Sequence, residues 1–461
     1  MIFSLAEIAA VTGGTLSGDG ETTVEGVSTD SRTIAPGELF VPLRGERFDG
    51  HAFLPHLAGN GVTAALAEKG WLTGNAPPEG VELIEVEDTL RALGDLAAEF
   101  RRRYDIPLTG ITGSNGKTTT KEMLATILEQ VSPGLKTSGN LNNLIGLPRM
   151  LFRLDGSHGW AVLEMGMSEP GEIDRLAQIA APQVGVVLNA FPAHLESMGS
   201  VENVARAKGE LLLRLAPGGC AVLNADDPLI SVLPVPVGVR RIFFGRGDTA
   251  EVRAAAIRPR GTKGQEFLLT VGADTLPVFL SACGSHSICN ALAAAAAAHA
   301  LGIPAGIIAR GLETFRPYAR RFRLEETGGI VLIDDSYNAN PASTGAALAT
   351  LGEIKGGQKA FAALGDMLEL GGDEAELHRL AGIQAARVAD RLYLYGKLTA
   401  HTAAGALTAG MAADCVICGM DHAEIAADIV RRAAPGDLVL VKGSRGMNMD
   451  LVADAVRSLK R

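Results

Sequence analysis

Short apolar runs alternate with amphipathic helical runs along most of this chain, and no other feature restricts the fold as much. From residue 107 they follow as "PLTGIT", "KTTTKEMLATILEQV", "GWAVLEMG", "PGEIDRLAQIAA" and "VGVVLNA". Strands joined through helices pair in parallel by crossover, which predicts an open α/β sheet. The pattern resumes past residue 318 with "KAFAALGD", "AARVADRLYLYG", "ADCVICG" and "GDLVLVKGS". Residues 1–87 differ, with short apolar runs broken by Gly, Asp and Pro, and read as a small mixed α/β module. A helix is expected over "DTLRALGDLAAEFRRRY" (88–104). At 461 residues the chain exceeds one core, and about 150 residues per domain gives about three. The expected division is 1–87, 88–318 and 319–461: the mixed α/β module, a central parallel-sheet domain of phosphate-loop ATPase type, and a Rossmann-like α/β domain.

The formal charge of −10 argues against a nucleic-acid binder, whose footprint is basic. The Ala-rich stretch 290–309 comes nearest to a membrane span, but His299, Gly302 and Pro304 interrupt it. The first residues carry Glu7 and no basic leader, so no signal peptide is expected. Five cysteines are too few, and odd in number, for a disulfide framework. A cytoplasmic protein, acting as a monomer, is the expectation. The "CVIC" pair at 415–418 has no second pair and lies in an apolar run, so it is read as core.

The chemistry concentrates at "GITGSNGKTTT" (110–120). A strand-like run precedes it, and a helix-like run follows with Met123, Leu124, Ile127 and Leu128 on one face. Strict phosphate-loop spacing asks for glycine at position 111, where this chain has Ile111. Gly113 and Gly116 would still let backbone N–H groups point inward at a helix N-terminus. Lys117 would then reach the outer phosphates of a nucleotide, and the Thr118 hydroxyl would hold Mg²⁺.

"TGSNGKTTT" (112–120) resembles the shortened phosphate loop of the Mur ligases and the folylpolyglutamate synthetases. Further stretches resemble the same family over nearly the whole chain: "TSGNLNNLIGLP", "LEMGMSEPGEID", "HLESMGSVENVARAKGELL", "SHSICNALAAAAAA", "RFRLEE", "LIDDSYNANPAS", "ALGDMLELG" and "VLVKGSRG". The resemblance implies ATP bound by Gly113, Ser114, Asn115, Gly116, Lys117, Thr118 and Thr119. It gives adenine to Asn290, the phosphates to Arg323, and a place near ribose to Asp334 or Asp335, with Asn338 in the same loop. Thr118, Glu164 and His194 would bind Mg²⁺. Lys208 would join them if CO₂ carbamylates it, which requires a neutral amine and so a lowered pKa. Lys117, Lys208 and His194 would be the catalytic residues.

"VSTDSRTIAPGELFVPLRGERFDGHAF" (27–53) resembles the uridine-nucleotide module of the family members that act late on the muramoyl peptide. Ser31 and Arg32 would contact uridine and diphosphate, while Asn142 and Asn143 serve a turn or orient that substrate. "DDSYNANP" and "LGDMLELG" resemble the branch that adds a dipeptide, and the Asp-Asn-Pro-Arg motif of diaminopimelate addition is missing. The resemblance thus implies ATP-dependent joining of D-alanyl-D-alanine to UDP-N-acetylmuramoyl-tripeptide. Adding a free diamino acid is the first alternative, and a nucleotide-driven switch the second.

Overall fold

A computed structural model of the chain describes residues 3–45, 48–192 and 195–459. Within them the chain forms two compact units. The first comprises Met1–Gly110, Ser132–Met167 and Gly171–Gln183; the second comprises Ile111–Val131, Ser168–Pro170 and Val184–Arg461.

In the first unit, five strands order as Thr15–Ser17, Glu82–Val86, Ala64–Glu68, Glu38–Phe40 and Gly26–Ser28. All neighbours are parallel except the first pair. Ala65, Ala67, Leu83 and Phe40 pack with Leu54, Leu57 and Val62 in one core. Ala64 and Leu66, at the alternate positions, are buried too, so both faces of this strand are covered. The helix Thr89–Arg102 opens on Asp88, whose side chain accepts from the Arg91 N–H. It lies where "DTLRALGDLAAEFRRRY" was expected to be helical. Arg175 Nη2 bridges it to the helix Glu172–Ala180 by donating to Asp95 Oδ1 at 2.7 Å. The same unit pairs Leu135–Lys136 in parallel with Ala161–Glu164.

The second unit holds two sheets. Strands Val184–Val187, Cys220–Asn224, Arg240–Gly245 and Val252–Pro259 pair in parallel, as the alternation requires. Gln265–Val271 and Asp274–Leu280 then extend the sheet antiparallel, through a turn with Gly272 at φ 59°. Apolar alternation alone did not announce this hairpin. The Ala-rich stretch forms the helix Ser285–Ala300, in which Ala291–Ala298 are all buried. Apolar on every side, it is a core helix, and its small side chains let neighbours approach closely.

The other sheet orders as Arg323–Thr327, Ile330–Asp335, Leu438–Lys442, Ala360–Gly365, Arg391–Tyr395 and Val416–Cys418. Only its first pair is antiparallel. Leu348, Leu351 and Ala385 cover one face, and Ile425, Ile429 and Val452 the other. Trimming Leu351 to alanine would cost about 2–5 kcal/mol through the cavity it leaves. The connections after Ile330–Asp335 and Ala360–Gly365 run to the first face. The connection after Leu438–Lys442 runs to the second. The carboxyl end of Leu438–Lys442 is therefore a topological switch point, where doubly wound sheets bind ligands. The cysteine pair is not core: Cys418 is exposed on the edge strand Val416–Cys418 and Cys415 half-buried before it, because the apolar run there ends at the sheet's rim.

Candidate functional site

Ile111 belongs to the buried strand Leu108–Thr112, packs in the core and is fully covered. The phosphate-type loop therefore starts at Gly113 and ends at Gly116, which explains why no glycine stands at 111. Gly116 has φ 87°, and a Cβ there would lie 2.2 Å from Asn290 Oδ1, so both backbone and space require glycine. The helix Lys117–Leu128 opens on Gly116 without a side-chain cap, and its first-turn N–H groups point out of the N-terminus, an arrangement that favours anions.

Asn189 holds the loop in shape. Its backbone oxygen accepts from the Ser114 N–H at 3.1 Å, and its Oδ1 accepts from the Asn115 N–H at 2.9 Å. Lys117 Nζ arches across and donates to Gly113 O at 2.7 Å. Thr118 is buried, whereas Thr119 faces partly outward. Asn290 lies six residues into its helix, so it cannot be that helix's cap. Its Oδ1 accepts from Thr120 Oγ1 at 3.4 Å and packs behind Gly116.

Lys208 sits inside the helix Val201–Leu213 and is 3% exposed. Burial pushes its amine well below the ordinary lysine value, and the charge of Lys117 pushes it further. A buried lysine beside a phosphate-type loop is thus disposed to be neutral, the form that reacts with CO₂.

An arginine does reach the loop, but it is Arg321. Its Nη2 donates to Thr118 Oγ1 at 3.3 Å, and its guanidinium stacks 3.7 Å above the Tyr337 ring. Arg323, the residue expected there, is exposed and opens the strand Arg323–Thr327, opposite Asp334. The chain makes the turn with Arg320 at φ 61° and Phe322 at φ 50°, both left-handed without being glycine. Such strain persists only where the surroundings hold it. Here the Phe322 N–H donates to Asp335 Oδ1 at 3.0 Å.

The two candidate aspartates separate cleanly. Asp334 is buried against Ser336 and Arg457 and is structural. Asp335 accepts from Phe322 and from the buried Lys442, whose Nζ lies 2.6 Å away and also donates to Asn338 O. Asn338 Oδ1 turns back to the Ala339 N–H. Asn340 and Asn115 exchange amide hydrogen bonds. Asn189, Arg321, Tyr337, Asn340 and Lys442 were not singled out from sequence. The signals available were positional: Arg321 is one of three arginines in "RRFR", Tyr337 and Asn340 lie within "LIDDSYNANPAS", and Lys442 lies within "VLVKGSRG".

In the first unit, Glu164 ends its strand and is 2% exposed, with its N–H donating to Thr137 Oγ1. Asn143 Oδ1 accepts from the N–H groups of Ile145 and Gly146, the turn role considered for it. The Asn142 carbonyl accepts from Gly166 N–H at 2.8 Å. Arg32 makes a two-pronged contact with Asp30, whose carboxyl it holds well below the usual range. Ser31, half-buried beside it, accepts at its carbonyl from Asn60. His194 lies outside the described residues.

A parallel sheet, a short glycine loop on a helix N-terminus and an arginine brought to it from the edge of a doubly wound sheet define a nucleotide-handling α/β enzyme. Family models match in three stretches: the Mur ligase family catalytic domain at 23–101, the Mur ligase middle domain at 111–298 and the Mur ligase glutamate ligase domain at 320–445. The UDP-N-acetylmuramoyl-tripeptide–D-alanyl-D-alanine ligase of Bacillus subtilis is 36% identical over 460 residues, covering 99% of this chain and 98% of the relative. A crystal structure of MurF from Acinetobacter baumannii superposes with a TM-score of 0.90 at 31% identity, covering 99% of both chains. The MurF ligase of Thermotoga maritima in complex with ADP gives 0.84 at 28% identity, covering 95% of this chain and 98% of the other. This chain belongs to the Mur ligase family.

Proposed function

We propose that this chain is the ATP-dependent ligase that joins D-alanyl-D-alanine to UDP-N-acetylmuramoyl-tripeptide, a late step in making the peptidoglycan precursor. The observation that carries the reading is the meeting of Arg321 with Thr118, in the first turn of the helix that the Gly113–Gly116 loop leads into. A phosphate-holding loop that also receives a cation from the third domain suits charge neutralisation during phosphoryl transfer. The relatives' names over nearly the full length supply the substrates.

In the reaction, a carboxylate oxygen of the tripeptide attacks the γ-phosphorus of ATP, and ADP leaves with the electrons of the broken P–O bond. The neutral amine of the dipeptide then attacks the acyl carbon. The C–O bond to phosphate breaks, phosphate departs, and the amine's proton passes to water. Lys117 and Arg321 offset charge on the transferred phosphoryl group, and the first-turn N–H groups of the loop helix orient it. Asn290 and Asp335 serve the nucleoside end, with Asn338 beside them.

Mg²⁺ fits the residues present. The buried Thr118 hydroxyl is a hard oxygen donor at the phosphate loop, and Mg²⁺ takes few protein ligands beside phosphates and water. Among the described residues no group of three His, Cys, Asp or Glu side chains forms a cage, which such a site does not need. Thr118, Glu164, His194 and a carbamylated Lys208 are the proposed ligands; the ion would neutralise phosphate charge.

Residues 1–87 would bind the UDP end through Ser31 and Arg32, 88–318 the ATP and 319–461 the acceptor. Asn142 would orient the donor. No helix among the described residues is long and apolar enough to cross a membrane. UDP-linked and ATP substrates favour work in the cytoplasm. Phosphate release with ATP and the tripeptide donor, with and without D-alanyl-D-alanine, tests the reading. Release that depends on the dipeptide supports a ligase, and equal release without it would mean a nucleotide-driven switch.

A further inference from the structure

The switch point at the end of Leu438–Lys442 has a second arginine. Resting on the ligase reading above, we propose that Arg445 binds the C-terminal carboxylate of the dipeptide acceptor and thereby selects a dipeptide over a single amino acid.

Most cations at this edge are already committed. Lys442 pairs with Asp335, Arg457 with Asp334 and Glu325, and Arg320 with Asp450. Arg321 is turned to Thr118. Arg445 is exposed, and among the described residues no carboxylate forms an ion pair with it. Its backbone is nevertheless fixed. The preceding Ser444 is 3% exposed; its Oγ accepts from the Leu368 N–H at 2.9 Å and donates to Ala339 O at 3.1 Å. Ser444 thus ties together the loops that follow both neighbouring strands. The Arg445 N–H itself lies 3.4 Å from Asn338 Oδ1. An exposed guanidinium on an immobilised turn, in a crevice where α/β sheets take ligands, is suited to a two-pronged carboxylate contact.

Length is the basis of the proposed choice of acceptor. Arg445 lies 6.0 Å from the Tyr337 ring centre and Arg321 lies 3.7 Å from it. The two guanidinium carbons are therefore within about 10 Å of each other. A dipeptide extends about 7 Å. With its carboxylate on Arg445, its amine would lie toward Arg321 and the phosphate loop, where the acyl carbon is generated. A single amino acid spans about half that length, so with its carboxylate on Arg445 its amine would stop about 3.5 Å short of where a dipeptide's amine would lie.

The test is steady-state kinetics on the full chain with D-alanyl-D-alanine and its C-terminal amide. Wild type should prefer the acid by about tenfold or more in kcat/KM, the scale of one charge-assisted contact. Arg445→Gln should raise the KM for the dipeptide about tenfold, leave the KM values for ATP and donor within about twofold, and erase the acid–amide preference. Arg445→Lys should keep part of that preference, and it carries the comparison if Arg445→Gln melts early. Lys397→Ala, which removes another cation from the same sheet edge two strands away, should behave as wild type. An Arg445→Gln enzyme that keeps the full acid–amide preference, or whose KM rises for ATP instead, would overturn the proposal. A wild-type enzyme inactive with D-alanyl-D-alanine would instead defeat the ligase reading beneath it.

Discussion

Asn340 Nδ2 donates to Asn115 Oδ1 at 2.8 Å, and Asn115 Nδ2 returns a bond to Asn340 Oδ1 at 3.2 Å. Asn340 is also the N-cap of the helix Pro341–Ile354, with Oδ1 accepting from Ser343 N–H at 2.9 Å. One side chain thus caps the helix Pro341–Ile354 and steadies the Gly113–Gly116 loop. Asn340→Ala should lose about 1 kcal/mol of stability through the cap. It should also raise the KM for ATP. Asn340→Ser keeps a capping oxygen but is too short to reach Asn115, so it should melt normally while the KM for ATP stays raised. Thermal melts beside ATP kinetics separate the two roles, and a normal KM in Asn340→Ser would confine Asn340 to capping.

Arg321 and Arg323 stand two residues apart and should differ sharply. A hydrogen bond to a charged group contributes about 1.5–3 kcal/mol, so Arg321→Ala should lower kcat/KM by roughly ten- to 150-fold. Arg323→Ala, exposed on its strand, should stay within about twofold. Equal losses would undo the placement of Arg321 on the phosphates.

Lys117→Ala should abolish ligation without unfolding the protein, because its side chain crosses an accessible loop. It should also raise the Lys208 pKa, since the Lys117 charge helps to depress it. With ¹³C-labelled CO₂, the carbamate signal of Lys208 should be present near neutral pH in wild type and shifted to higher pH in Lys117→Ala. No labelled carbamate at any pH would remove Lys208 from the proposed metal ligands.

The same depressed pKa fixes the sign of a stability effect. Between the lowered folded value and the ordinary 10.5, the unfolded chain binds more protons at this lysine than the folded one. Stability contributed through Lys208 therefore rises with pH across that window. In the unmodified protein, held free of CO₂, melts at pH 7 and pH 9 should show a larger gain for wild type than for Lys208→Met. A wild-type gain no larger than the variant's would contradict the buried neutral amine.

Arg32 is 85% exposed, and its pairing with Asp30 is a surface contact that adds little to folding. Arg32→Ala should keep the wild-type melting temperature, raise the KM for the UDP-linked donor and leave that for ATP unchanged. Kinetics with each substrate varied in turn would reveal a loss shared by both, which would point to a folding role.

Much of this was legible from residue order. Alternation gave the parallel strands, and "TGSNGKTTT" gave the loop, because strand, turn and helix there are set by neighbouring residues. Ile111 looked like a fault in the motif until the strand absorbed it. Contacts made at long range were less legible. Asn340 lies 225 residues from Asn115, and Arg321 lies 203 from Thr118. The choice of Arg321 over Arg323 depends on left-handed backbone at Arg320 and Phe322, which their side chains do not announce. The hairpin Gln265–Leu280 was hidden because its strands share the apolar texture of the parallel ones.

The central claim is that this chain joins a dipeptide to the muramoyl tripeptide, and the mass of the product tests it most directly. Purified protein is incubated with ATP, Mg²⁺ and UDP-N-acetylmuramoyl-tripeptide, with D-alanyl-D-alanine, D-alanine and lysine as competing acceptors. Diaminopimelate is offered alongside with the UDP-linked dipeptide donor. The account predicts a single product, the tripeptide donor extended by one D-alanyl-D-alanine with loss of water, formed in step with ADP and phosphate. A product carrying diaminopimelate on the dipeptide donor, or ADP formed with no extended donor, would contradict it.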